Sequence, residues 1–200
     1  MKTKGTVRMF TITAATLISA VGLLGQSPNQ GQLPAAQLPY PSVGDTMGDA
    51  QSRQLDQRFL TQAMQASLLN VAMGKLAADK AGSDPTKKFG LTMATDNLRA
   101  VGIFQRVATK DGVSVPDKLD AKHQERLDRL AKLSGPEFDR AYVKDQLKAH
   151  QQMVALFESE AENSTDTAAR KMATAMLPAV FQHLDLAKDL NRSLAAVARR

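Results

Sequence analysis

The chain contains no cysteine and no tryptophan, only three histidines, and its aromatic side chains make up 4% of 200 residues. Without thiols it can build no disulfide framework, no thiolate zinc or iron–sulfur site, no cysteine nucleophile and no lipid-anchored cysteine behind an export leader. Also missing are a Gly-x-Ser-x-Gly elbow, a glycine-rich phosphate loop and a His-Glu-x-x-His pair, so an enzymatic role is not the expected one. The acidic run Glu158, Glu160 and Glu162 has the spacing of a solvated helical face rather than of paired catalytic carboxylates.

A large excess of one charge is lacking as well. Lys and Arg number 26 against 20 Asp and Glu, for a net charge of +6. Lys2, Lys4 and Arg8 supply half of that excess. The remaining charges alternate in sign, as in Asp117, Lys118, Asp120 and Lys122, then Glu125, Arg126, Asp128 and Arg129. With neither a basic stripe nor aromatics for base stacking, nucleic acid is excluded as the expected partner.

What is present begins with an export signature. The three basic residues precede an apolar run over residues 9–24, which Gly25, Gln26, Ser27 and Pro28 then break. That run is short of the roughly 20 apolar residues a membrane span requires. The expectation is a signal peptide over residues 1–25 and a periplasmic protein, the alternative being an inner-membrane anchor formed by an uncleaved N-terminus. Residues 26–54, rich in proline and glutamine and without apolar periodicity, are expected to be a disordered tether. One domain then remains, residues 55–200, long enough to bury a core of its own.

From Leu55 onward apolar residues recur at helical spacing and no stretch alternates with period two, so the domain reads as all-α. A first helix from about Asp56 to Ala81 carries Phe59, Leu60, Met64, Leu68 and Leu76, with Gly74 placed for a close helix contact. Gly82, Ser83, Asp84 and Pro85 then give a stop, a cap and a new start. The second helix runs to about Lys110 on a heptad of Phe89, Met93, Asp96, Ala100, Ile103 and Val107. A connector between Gly112 and Gly135 holds a short amphipathic helix, residues 120–133. The third long helix, from Pro136 to about Asn163, and the fourth, capped by Ser164 or Thr165 and reaching Val197, complete the set. Pro178 lies inside the last one, where a kink or bulge is expected. Helices of ~27 residues span ~40 Å, and a connector of that size can return the chain from one end of the bundle to the other. Two hairpins joined by one long crossover make a ferritin-like four-helix bundle, with the short helix between the second and third long helices.

Several segments carry a family likeness. They are Gly74-Lys75-Leu76-Ala77, Leu119-Asp120-Ala121-Lys122-His123, Leu130-Ala131-Lys132-Leu133-Ser134-Gly135, Phe138-Asp139-Arg140-Ala141-Tyr142, Gln146 with His150, Ala155-Leu156-Phe157-Glu158, Leu177-Pro178, and His183-Leu184. Together they resemble the exported bacterial family catalogued as domain of unknown function 4142. The resemblance covers residues 59–190. It implies a ferritin-like bundle and an envelope location, and brings no established activity with it.

Counting residues from the helix ends places Asn70, Asp96, Asn97, Gln146, His150 and His183 within about four residues of one height, or ~6 Å. Buried polar side chains are costly unless they satisfy one another or hold something, so this mid-bundle layer is the candidate ligand site. A dinuclear carboxylate centre is not expected, because Leu147 and Val180 stand where each histidine would need a glutamate three residues earlier. No cofactor is expected. Asp96, His150 and His183 are the set that could hold a single Fe or Zn. His123, on the connector helix amid charges, is expected to be solvated, and the methionines are core filler. The expected function is therefore a non-catalytic binding or interaction module of the envelope, with an envelope protein or small ligand as partner and any membrane contact confined to the N-terminal segment. The competing reading is a metal-binding, possibly oxidase-like, ferritin-like protein.

Overall fold

The computed structural model describes residues 47–164 and 167–199. The expected leader and most of the expected tether lie outside the described residues. Five helices follow in order: α1 (Met47–Lys80), α2 (Asp84–Asp111), α3 (Ala121–Ala131), α4 (Gly135–Asn163) and α5 (Ala168–Val197). α1 pairs with α2 and α4 with α5, while the short α3 crosses between the hairpins along α1 and α4. The first helix begins at Met47, so the last part of the stretch read as tether is helical. Beyond Gly48 that stretch has neither proline nor glycine, and Ala50, Gln51, Arg53 and Gln54 favour a helix without displaying an apolar face.

Local chemistry sets the helix ends. The Ser83 hydroxyl accepts from the Thr86 N–H and Pro85 occupies the first turn of α2, which ends on Gly112 at φ 66°. Asp120 caps α3 through the His123 N–H. Thr167, three residues beyond Ser164, caps α5 by accepting from the Arg170 N–H. α5 runs through Pro178 as a single helical segment.

The crossover is pinned at both ends. Near its start, the Gln65 side chain donates to the Lys118 carbonyl at 2.9 Å and accepts from the Asp120 N–H at 3.0 Å. Further along, Arg126 makes two bonds to the Asp145 carboxylate, at 2.8 and 2.9 Å. Where α4 begins, the buried Asp139 carboxylate accepts from the Gly82 N–H at 2.9 Å, tying it to the turn between α1 and α2.

Gly74 does serve a close approach. A Cβ on it would lie 2.4 Å from the Gly90 carbonyl oxygen, and one on Gly90 would lie 2.4 Å from the Ala77 Cβ. The core falls into two apolar clusters, one around Phe59, Leu60, Met64, Phe104 and Phe157, the other around Leu69, Met73, Phe89, Phe138 and Tyr142. Rings pack edge to face in each, with Phe59 and Phe157 centred 5.1 Å apart and Phe89 and Tyr142 6.0 Å apart. The polar layer lies at the level between these clusters.

Candidate functional site

All six residues of the layer meet, in two groups. The inner group consists of amides. Gln146 Nε2 donates to Asn70 Oδ1 at 3.0 Å, Asn70 Nδ2 donates to Asn97 Oδ1 at 3.4 Å, and Asn97 Nδ2 donates to the Met93 carbonyl at 2.9 Å. These bonds cross from α4 to α1 to α2. His150 sits one turn beyond Gln146 and donates from Nδ1 to the Gln146 carbonyl at 2.9 Å. With Nδ1 bearing the proton, Nε2 carries a lone pair, and this buried atom has no hydrogen-bond partner; the same is true of Gln146 Oε1. Burial holds the His150 imidazole down to about 4, with nearby His183 lowering it further and the Gln146 carbonyl opposing both. His150 is therefore neutral near pH 7.

The outer group is a hydrogen-bonded pair at the rim. His183 Nε2 donates to Asp96 Oδ2 at 3.1 Å, and Arg99 donates to the other carboxylate oxygen at 3.3 Å. The His150 and His183 rings join the groups, edge to face with centroids 5.6 Å apart.

The heptad expectation put Asp96 on the buried stripe, and here the structure corrects it. The buried face of α2 passes through Asn97, Phe104 and Ala108, while the Asp96 side chain is 36% exposed. A straight α-helix drifts ~20° per heptad from a seven-residue repeat, and a bonded amide is far cheaper to bury than a carboxylate.

The residues do not fit the single metal centre held in reserve. Asp96 bonds directly to His183, and among the described residues no three of His, Cys, Asp or Glu are grouped to hold a metal ion. His183 and Asp96 are bonded to each other, which leaves the buried, unpartnered His150 Nε2 as an isolated lone pair rather than part of a converging ligand set.

The layer is flanked by space on two sides. Between α2 and α5 lies a cavity of about 270 Å³, walled by Ala100, Phe104, Met153, Phe157, Met176 and Val180. Asp96, His183, Arg99 and Gln182 add polar groups to its lining, and Ser67 and Asn97 line it too. The Ser67 hydroxyl is fully buried and has no hydrogen-bond partner. Between α1, α3 and α4 lies a second pocket of about 480 Å³, which Asn70 and Met153 line together with His123. Asn70 thus faces one pocket and Asn97 the other, and Met153 is common to both.

Sequence reasoning missed Ser67, which lies on the apolar face of α1 and looks like a small core residue. It also read His123 as solvated, whereas that side chain is only 19% exposed and bonds to Asp120 Oδ1 at 2.8 Å. The Asp120-x-x-His123 spacing, a helix cap followed by a first-turn imidazole, was the available signal.

Further from the layer, at the end of the bundle where α1 enters, the buried carboxyls of Asp56 and Glu160 sit together, and Ser164 Oγ donates to Asp56 Oδ1 at 3.0 Å. Burial and then Asp56 push the Glu160 carboxyl up to about 7. Burial likewise raises Asp111, with the Asp56 charge adding to it.

A family model described as Domain of unknown function (DUF4142) matches residues 42–190 of the chain. No curated protein and no solved structure matches it.

Proposed function

The chain belongs to the domain of unknown function 4142 family, and we propose that it is an exported, periplasmic, non-catalytic module that binds a small, largely apolar molecule in the α2–α5 cavity beside the polar layer. The observation carrying this reading is the Ser67 hydroxyl, buried and unpartnered in the wall of a largely apolar space. Burying a hydroxyl without a partner costs about 1–3 kcal/mol, and a guest with one hydrogen-bonding group would remove that penalty. Asp96, His183 and Arg99 add the few polar groups that orient a guest in an apolar pocket. A cavity of about 150 Å³ accepts benzene, so about 270 Å³ admits a larger ring system.

Export rests on Lys2, Lys4 and Arg8 ahead of the apolar run at 9–24, and no described helix is long and apolar enough to cross a membrane. In this reading residues 1–25 are removed and residues 26–54 lead into the bundle. Mass spectrometry of the protein recovered from the cell envelope tests it. A mature chain lacking about the first 25 residues is expected, and retention of Met1 would show an anchor instead.

Binding is tested by NMR of methionine methyl groups with indole as the probe. Saturable shifts at Met153 and Met176, but not at Met64, are expected, and Ala100→Leu should abolish them by filling the cavity. If indole moves neither methyl, or if Ala100→Leu leaves the shifts intact, the cavity is not a binding site.

A further inference from the structure

The pocket beneath the crossover helix is a different kind of space from the α2–α5 cavity. Its volume of about 480 Å³ lies within the ~300–1,000 Å³ of small-molecule sites. The inner wall has an apolar part, from Leu69, Met153 and Leu156, while α3 contributes Lys122, His123 and Arg126. No carboxylate lines it.

The basic side is held in place before any ligand arrives. Gln65 fixes the chain entering α3 through two bonds, Asp120 holds the His123 ring, and Asp145 holds Arg126. Two of the three basic groups are thereby oriented by acids outside the pocket. Lys122 makes no such ion pair among the described residues. At the opposite wall, Asn70 is buried and Gln62 and Gln152 supply further amides.

We propose that this pocket is a second binding site, separate from the α2–α5 cavity, for an organic anion with an apolar body, its carboxylate or phosphate meeting Lys122, His123 and Arg126. A preorganised rim, with Lys122 and Arg126 as its cations and the His123 ring held beside them, gives anion selectivity without reordering on binding. The apolar wall requires more of the ligand than charge, so inorganic phosphate alone is a poor occupant.

Two fluorescent probes with the same apolar body test this on the intact domain: anilinonaphthalene sulfonate and its uncharged counterpart, phenylnaphthylamine. The sulfonate is expected to bind more tightly, with Kd rising as salt is added. Lys122→Glu should weaken it about tenfold, and Lys122→Gln by less, with little change for the neutral probe. Lys122 is exposed on α3, so neither variant should unfold the bundle. Methionine methyl NMR supplies the location: the sulfonate should shift Met153, which lines both pockets, without shifting Met176, which lines only the other.

Equal affinity for the two probes, an unchanged Kd in Lys122→Glu, or shifts confined to Met176 would each overturn the proposal. Because indole and Met176 report on the α2–α5 cavity, either site can fail while the other stands. Competition then separates the sources of the anion. Displacement by dodecanoate indicates a free organic acid, displacement only by phosphatidylglycerol vesicles indicates a lipid headgroup, and displacement by neither overturns the assignment.

Discussion

His150 makes the stability of the bundle depend on pH in a defined direction. Its folded-state value is about 4, against an ordinary 6.5, and burial is the main cause. The unfolded chain therefore takes up a proton near pH 6.5 that the folded chain refuses until about pH 4. Stability from this group is fully present above 6.5 and is lost as pH falls toward 4, a total of roughly 3 kcal/mol at 1.36 kcal/mol per pH unit. Against a typical 5–15 kcal/mol for a domain, that is a large share.

The wild-type curve alone will not display it, because Glu160 acts with the opposite sign over an overlapping range. The variant His150→Asn isolates the effect. Asparagine can keep the bond to the carbonyl four residues back, as Asn97 does with Met93 at 2.9 Å. Glu160 lies ten residues further along α4, ~15 Å away, so its contribution is additive and cancels in the difference. Urea denaturation at pH 7.5, 6.5, 5.5 and 4.5 should show the wild type losing stability relative to His150→Asn at each step down. Parallel curves for the two proteins would refute the reasoning.

Glu160 has its folded value raised to about 7, so its stabilisation is present below 4.5 and lost as pH rises through 7; Glu160→Gln should flatten that rise-dependent loss, read by thermal melts at pH 5 and 8. Gly74→Ala should destabilise by about 1–3 kcal/mol, because the new Cβ meets backbone of Gly90 at 2.4 Å and of Ala94 at 2.9 Å, and the helices must part. Gly102→Ala is the matched control, meeting only the Arg106 guanidinium at 3.5 Å, and should stabilise by up to about 1 kcal/mol. Ser67→Ala removes an unpartnered buried hydroxyl and should raise ligand-free stability by about 1 kcal/mol in urea denaturation. The same variant should weaken any guest that bonds to that hydroxyl, which separates its effect on folding from its effect on binding.

The architecture was legible where a helix advertises its own ends, as α2 and α3 do. Ser83 and Pro85 start α2, Gly112 stops it, and Asp120 starts α3, each through local backbone requirements that need no tertiary context. The extension of α1 back to Met47 was not legible, since its side chains from Ala50 to Leu55 are mostly exposed and show no apolar period. The height of the polar layer followed from counting along rods of known rise. Which of two adjacent residues faces inward did not, and Asn97 displaced Asp96 because a rotation of a few tens of degrees decides it.

The layer has a structural use that accounts for part of it. Between two apolar clusters of interchangeable Ala, Leu and Met, the chain of amides from Gln146 to Asn70 to Asn97 fixes the height at which α4, α1 and α2 meet. Sliding one helix by a turn would bury those groups unpaired. That role needs the amide N–H groups and their acceptors, and each of those is bonded. It does not need the Ser67 hydroxyl, Gln146 Oε1 or His150 Nε2, which are buried and unpartnered. A core under selection for register alone would gain stability by replacing such atoms with apolar groups of the same shape. Of the three, the Ser67 hydroxyl lines the α2–α5 cavity, and a guest there would give it the partner that the packed core does not.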